Sequence, residues 1–173
     1  MRLGLNIGSG GRPFSSTPEV KWVNIDCQEK CKPDIVADAS SLPMIQDGSV
    51  DYVVLQHTLE HYGSGEGVGL LKEAYRVLCH LGSLVVTVPD MRALAEGWIA
   101  GKITTETYMI NVYGGYMGSE ADRHKFGFTK DTLVNQIMEA SSHWRAVMNF
   151  DGCSPPGADI SRDWWILGVE AIK

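Results

Sequence analysis

Short apolar runs alternate with helical patterns along the chain. Residues 3–7 (LGLNI) open the series and residues 20–25 (VKWVNI) follow. Residues 35–37 predict a brief third strand, and Asp47-Gly48 marks a turn before 50–55 (VDYVVL). Residues 83–88 (SLVVTV) are nearly all apolar or β-branched, as a parallel strand covered on both faces should be. Between the last two runs, residues 67–80 place Leu70, Leu71, Ala74, Val77 and Leu78 at helical spacing, and Gly82 stands where a helix C-terminal glycine belongs. Asp90 can cap a helix with Leu94, Ala95, Trp98 and Ile99 on one face. Thr129 can cap another, with Leu133, Val134, Ile137 and Met138 as its stripe. Residues 144–150 and 164–172 read as strands around the turn-rich DGCSPPGADIS, which suits antiparallel pairing. Strands alternating with helices predict an α/β fold.

The first connection breaks this rhythm. Only about a dozen residues separate the first two strands, and GRPFSSTPE carries two prolines. A crossover with its helix needs about 10–12 residues at least. The first crossover helix is therefore expected to be rudimentary or absent, and the sheet's first half thinly covered on at least one face.

A length of 173 residues suits one domain with a real core. The net charge is −6 and the Lys and Arg are scattered, which argues against a nucleic-acid partner. Four cysteines without a framework pattern fit reduced thiols. Residues 1–10 lack the apolar stretch of a signal peptide, and no apolar run is long enough for a membrane span. Together these predict a cytoplasmic protein with no membrane partner.

The glycine-rich stretch Gly8-Ser9-Gly10-Gly11 raises the question of chemistry. A P-loop would close with Lys-Ser/Thr, which is missing. The dinucleotide fingerprint needs a glycine where Pro13 stands, and a helix after it. What remains is a loop that lets backbone approach a ligand without neutralising phosphate. Asp26 ends the second strand, where a carboxylate can accept hydrogen bonds from both ribose hydroxyls. Asp38 ends the third strand and can accept from an adenine amine; an Asx turn is the plainer reading. The loop and the two acids outline an edge for an adenosine without phosphates.

Four stretches, LNIGSGG, VNID, ADASSLPMIQDGSVDYVVLQHTLEHY and LKEAYRVLCHLGSLVVTVPD, together resemble the class I S-adenosylmethionine-dependent methyltransferases, of the type 11-like kind. They span residues 3–90, about half of the chain. The resemblance implies a Rossmann-like, mostly parallel seven-stranded sheet with an antiparallel last strand and helices on both faces. It implies S-adenosylmethionine as cofactor and a small-molecule or sugar-like acceptor, methylated on oxygen or nitrogen. Gly8, Ser9 and Gly10 would line the methionine moiety, Asp26 the ribose, Asp38 and Ala39 the adenine. Gln56 and His57 would sit near the methionyl end, and Asn6 and Cys27 complete the cofactor-binding set. Many relatives carry an acid where this chain has Asn6, and Pro-Gly-Gly where it has Leu81-Gly82-Ser83.

Methyl transfer needs alignment first and a base second. His57 and His124 are the candidate catalytic groups. His61, Tyr113, Arg123 and His124 are candidates for binding the acceptor, with Tyr116 beside them. If His57 and His61 share a helix they also have the spacing of a metal pair, but Cys27 and Cys31 add no second tight pair, so no metal is expected. Glu60 reads as a cap or surface acid. Residues 91–128 read as a lid over the acceptor side, or as the face of a homodimer. A cofactor-binding module without productive catalysis is the alternative.

Overall fold

The structure is a computed structural model that describes residues 1–115, 119–150, 152–160 and 163–173. Seven strands, β1 (Arg2–Ile7), β2 (Val20–Asp26), β3 (Ile35–Val36), β4 (Val50–Gln56), β5 (Leu78–Pro89), β6 (Ala146–Asn149) and β7 (Ile166–Ile172), form one sheet. Their order is β3-β2-β1-β4-β5-β7-β6. Strands β1 to β5 run parallel, and β7 runs antiparallel to both its neighbours. The predicted Rossmann-like, mostly parallel seven-stranded sheet with an antiparallel last strand is thus observed.

The two faces of the sheet differ. Leu5, Ile7, Val53, Leu55, Leu84, Val86 and Val88 point to one side, where they meet α1 (Ser64–Val77) and α4 (Lys130–Ala140). Trp22, Val54 and Val85 belong to a smaller cluster on the other side. Phe14 and Ile160 complete it from loops, and none of its members is helical. Residues 8–19 form turns with no helix, as their length and prolines predict. Trp22 fills the space a crossover helix would take. Its ring lies over Gly4, where any Cβ would collide with it. It meets Phe14 edge-on at 5.0 Å and donates from Nε1 to the Pro156 carbonyl (2.8 Å). The segment before β7 therefore covers this face.

Several expectations are corrected. Helix α1 starts at Ser64 and ends at Val77, earlier than predicted at both ends. The Gly63 N–H donates to the Glu66 carboxylate at its start. At its end Gly48 and Ser49 donate to the Arg76 and Val77 carbonyls, and Leu78 already pairs with Val50 in the sheet. Gly82 is therefore a strand residue and not a helix terminator. A side chain there would crowd the Cys79 and Val50 carbonyls. On α2 (Met91–Ile99) Asp90 caps as predicted, but only Leu94 of the stripe is buried deeply; Trp98 and Ile99 are exposed. Trp98 instead stacks on Tyr108 of α3 (Thr105–Tyr113), a helix the apolar pattern did not reveal. On α4 Met138 is exposed. Tyr116 lies outside the described residues.

Candidate active site

The glycine loop leaves β1 and is drawn onto β2. Gly8 and Ser9 both donate to the Ile25 carbonyl (2.8 and 3.1 Å). Gly8 adopts φ +69°, and a Cβ there would overlap the Thr58 side chain. Thr58 is itself fixed by donating to the Ile7 carbonyl (2.9 Å). Asp26 is buried at the end of β2; its Oδ2 accepts from Gly10 N–H and its Oδ1 from Gln28 N–H, both at 2.8 Å. Each carboxylate oxygen keeps a second lone pair for a ligand.

Asn6 has a clear local task. Its Nδ2 donates to the Arg12 carbonyl (3.1 Å) and to Asn24 Oδ1 (2.9 Å). Asn24 also accepts from Phe14 N–H and donates to the Phe14 carbonyl and Asp34. A carboxylate at position 6 has no donor for these contacts. The amide ties the short first connection to the sheet, which a helix would otherwise anchor.

Two cavities flank the loop. One, about 280 Å³, is lined by Asp26, Cys27, Asp38, Ala39, His61 and Tyr62 among others. The other, about 460 Å³, is lined by Asn6, Ser9, Arg12, Gln56, Asn111 and Trp165 among others. Gly8, Gly10 and His57 line both. Asp38 does form the Asx turn, accepting from the Ser40 N–H (2.9 Å) and hydroxyl (2.8 Å), yet it still faces the smaller cavity. Burial first, then the Asp26 charge, raises the pKa of the Cys27 thiol. Burial and then the Asp38 charge push Tyr62 up to about 12, so its hydroxyl keeps its proton at neutral pH.

The histidines gather differently from the sequence expectation. His57 sits at φ +52°, and only Leu59–His61 form a 3₁₀ turn, so His57 and His61 share no helix face. His57 Nδ1 lies 3.3 Å from Glu60 Oε1. Glu60 is no surface acid: it is 1% exposed, and its Oε2 has no hydrogen-bond partner. His61 faces His124 edge-on, with ring centroids 4.8 Å apart. Lys125 and Phe126 donate to the Glu60 carbonyl (2.8 and 3.2 Å), which clips residues 123–126 onto the turn. Burial lowers the pKa of His124 and favours its neutral form.

The other predicted acceptor residues lie farther out. Tyr113 is exposed, and Arg123 is exposed and paired with Glu120 at 3.4 Å; neither lines the two cavities. Ala121, Asp122 and Lys125, within residues 91–128, do line the smaller one. Asn111, Asp163, Trp165 and Ile166 were not foreseen. The one signal is the Trp164-Trp165 pair after a turn-rich stretch; the strand predicted over 164–172 begins at Ile166.

Residues 16–86 match a sequence family described as a methyltransferase domain. The chain shares the fold of the class I methyltransferases. Solved methyltransferase structures share the fold across nearly all of this chain. A S-adenosylmethionine-dependent methyltransferase from Archaeoglobus fulgidus aligns at TM-score 0.66 and 18% identity, over 99% of this chain and 86% of that one. One from Methanosarcina mazei aligns at 0.60 and 18%, over 99% and 92%. Human N-acetylserotonin methyltransferase in complex with S-adenosylmethionine aligns at 0.63 and 16%, over 99% of this chain and 47% of that one. No curated protein matches the chain by sequence. Among the described residues no helix is long and apolar enough to cross a membrane.

Proposed function

We propose that this methyltransferase transfers the methyl group of S-adenosylmethionine to an oxygen or nitrogen of a small-molecule or sugar-like acceptor. The observation that carries the reading is the pair of cavities that share Gly8, Gly10 and His57 in their linings, with the Asp26 carboxylate lining the smaller. The residues fit the cofactor. Asp26 would hold the ribose hydroxyls, Asp38 and Ala39 the adenine, and Gly8 to Gly10 the methionyl portion. The cofactor supplies a methyl on a sulfonium, a group ready for in-line displacement. Asn6 and Gln56 place polar groups at the start of the larger cavity, where Asn111, Asp163 and Trp165 would position the acceptor.

The chain's own contribution is mostly alignment, which can supply about 7–11 kcal/mol of the barrier. His57 is the candidate base, because it lines both cavities and Glu60 orients its ring. Proton removal would add roughly 10²–10⁴-fold. Burial keeps His124 neutral beside it, suited to accept a hydrogen bond.

The test is calorimetry with S-adenosylhomocysteine. Hydrogen bonds to a charged group contribute about 1.5–3 kcal/mol each. Asp26→Ala should therefore weaken binding roughly 10²-fold or more, while the chain stays folded by circular dichroism. Unchanged affinity would remove the cofactor from this edge. Trp165→Ala should raise KM for the acceptor and leave cofactor affinity alone.

A further inference from the structure

Glu60, His61 and His124 offer three ligand atoms that all lie within 4.8 Å of one another. Among the described residues no other group of three His, Cys, Asp or Glu side chains gathers this way. Proximity alone does not make a site. Two further observations point to a ligand.

The first is the Glu60 carboxylate. It is 1% exposed, and Oε2 meets no donor even though Oε1 faces His57. An unpaired buried carboxylate oxygen is costly, and a cation would satisfy it. The second is the setting of the two imidazoles. His61 Nδ1 lies 3.0 Å from the Arg123 carbonyl, and His124 Nδ1 lies 2.7 Å from the Asn111 carbonyl. A carbonyl only accepts, so each Nδ1 carries the proton and each Nε2 is left with its lone pair. That arrangement, ring N–H to a carbonyl and the other nitrogen to a metal, is how ligating histidines are oriented and their tautomer fixed.

We propose that Glu60, His61 and His124 form a binding site for a divalent transition cation of the zinc class, at the rim of the cofactor cavity. Two imidazoles and one carboxylate match the three-ligand set of open zinc sites, which keep a position for water or substrate. Ligands about 2.1 Å from a tetrahedral metal lie roughly 3.4 Å apart. Side-chain rotation of about an ångström closes the present spacing. His61 lines the smaller cavity, so the open position is reached from there. If the methyltransferase reading holds, on which this extension rests, the cation favours a hydroxyl acceptor over an amine, because a bound metal lowers the pKa of a coordinated oxygen.

The test titrates metal-free full chain with Co²⁺ and Zn²⁺ by calorimetry and visible absorption, and in parallel with S-adenosylhomocysteine. Cys27 and Cys31 lie near the cavity and could capture the same ions, so a Cys27→Ser/Cys31→Ser variant serves as the background. Wild type and this background should each take up one cation, with no thiolate band in the cobalt spectrum. His61→Ala and His124→Ala should each weaken uptake by at least about 100-fold, since even loss of an outer-shell partner costs 10–100-fold. Glu60→Gln keeps the side chain's shape and should weaken it as well. S-adenosylhomocysteine affinity should survive His124→Ala. No saturable uptake by wild type, uptake that both histidine variants retain, or uptake lost with the cysteines would overturn the site. Cation uptake without S-adenosylhomocysteine binding would instead sink the cofactor reading and leave the metal site standing.

Discussion

The two faces of the sheet solve the same problem with different materials. One is apolar from end to end and is covered by α1 and α4. The other carries Asn6, Gln56 and Thr87 along with Trp22, Val54 and Val85, and is covered by loops. A helix buries a long stripe against strands but needs length. The first connection, too short for one, uses a single large ring and a segment borrowed from just before β7. The difference teaches where the active site could form. The loop-covered face ends in a polar cavity floored by Asn6 and Gln56.

The sharpest way to break this comparison is to remove one filler from each face. Trp22→Ala should cost about 3–5 kcal/mol and Leu71→Ala about 2–5 kcal/mol, read by urea unfolding. Their effects on the site should diverge. Trp22→Ala frees Phe14 and the Asn24-linked loop, and should weaken S-adenosylhomocysteine binding roughly tenfold, the equivalent of about 1.4 kcal/mol. Leu71→Ala should leave binding unchanged. Equal binding losses would erase the distinction between the faces.

A smaller effect is expected at the borrowed segment. Gly157 has φ +85°, and a Cβ there would press on the Ser15 carbonyl and the Trp22 ring nitrogen. Gly157→Ala should cost about 1–3 kcal/mol. A neutral result would mean that this segment does not clamp the face.

The smallest effect lies on the helix-covered side. Glu73 of α1 accepts from Arg76 and from Leu42 N–H, which staples the helix to residues 42–47. The Arg76 hydrogen bond is the main reason its pKa falls below 4.5. A depressed carboxylate contributes stability above the unfolded pKa and loses it as pH drops through the folded value. Wild type should therefore lose stability faster than Glu73→Gln below pH 4.5. Parallel acid profiles would show the staple to be idle.

What could be read from the sequence follows from the range of each interaction. Strands with continuous apolar runs were legible because burial on the sheet is written locally. Helix α3 was not, since none of its residues is buried and no stripe marks it. Gly82 does not end the helix because Leu78 pairs with Val50 of β4 and the Leu81 N–H donates to the Lys173 carbonyl, contacts that helical spacing cannot report. Gly8, Asp26 and Asp38 could be placed together because each lies at or just past the end of a strand and the parallel sheet aligns those ends, so that all three line one cavity. The Glu60–His61–His124 group was not. His124 arrives there through backbone hydrogen bonds of its neighbours to the Glu60 carbonyl, and backbone contacts leave no residue signature. Asp163 and Trp165 reach the larger cavity the same way, by the path of the chain.

The bond from Trp22 to the Pro156 carbonyl joins positions 134 residues apart. Its consequence is one of timing. A chain that emerges from the ribosome N-terminus first at roughly 5–20 residues per second must hold β1 and β2 for many seconds before their cover exists. During that interval Trp22 and Phe14 stand open on a pair of strands with an unpaired edge, the kind of surface that invites aggregation. Contacts this distant in sequence also form late and slowly. Nascent chains arrested before residue 155 should therefore engage chaperones that arrested full-length chains do not.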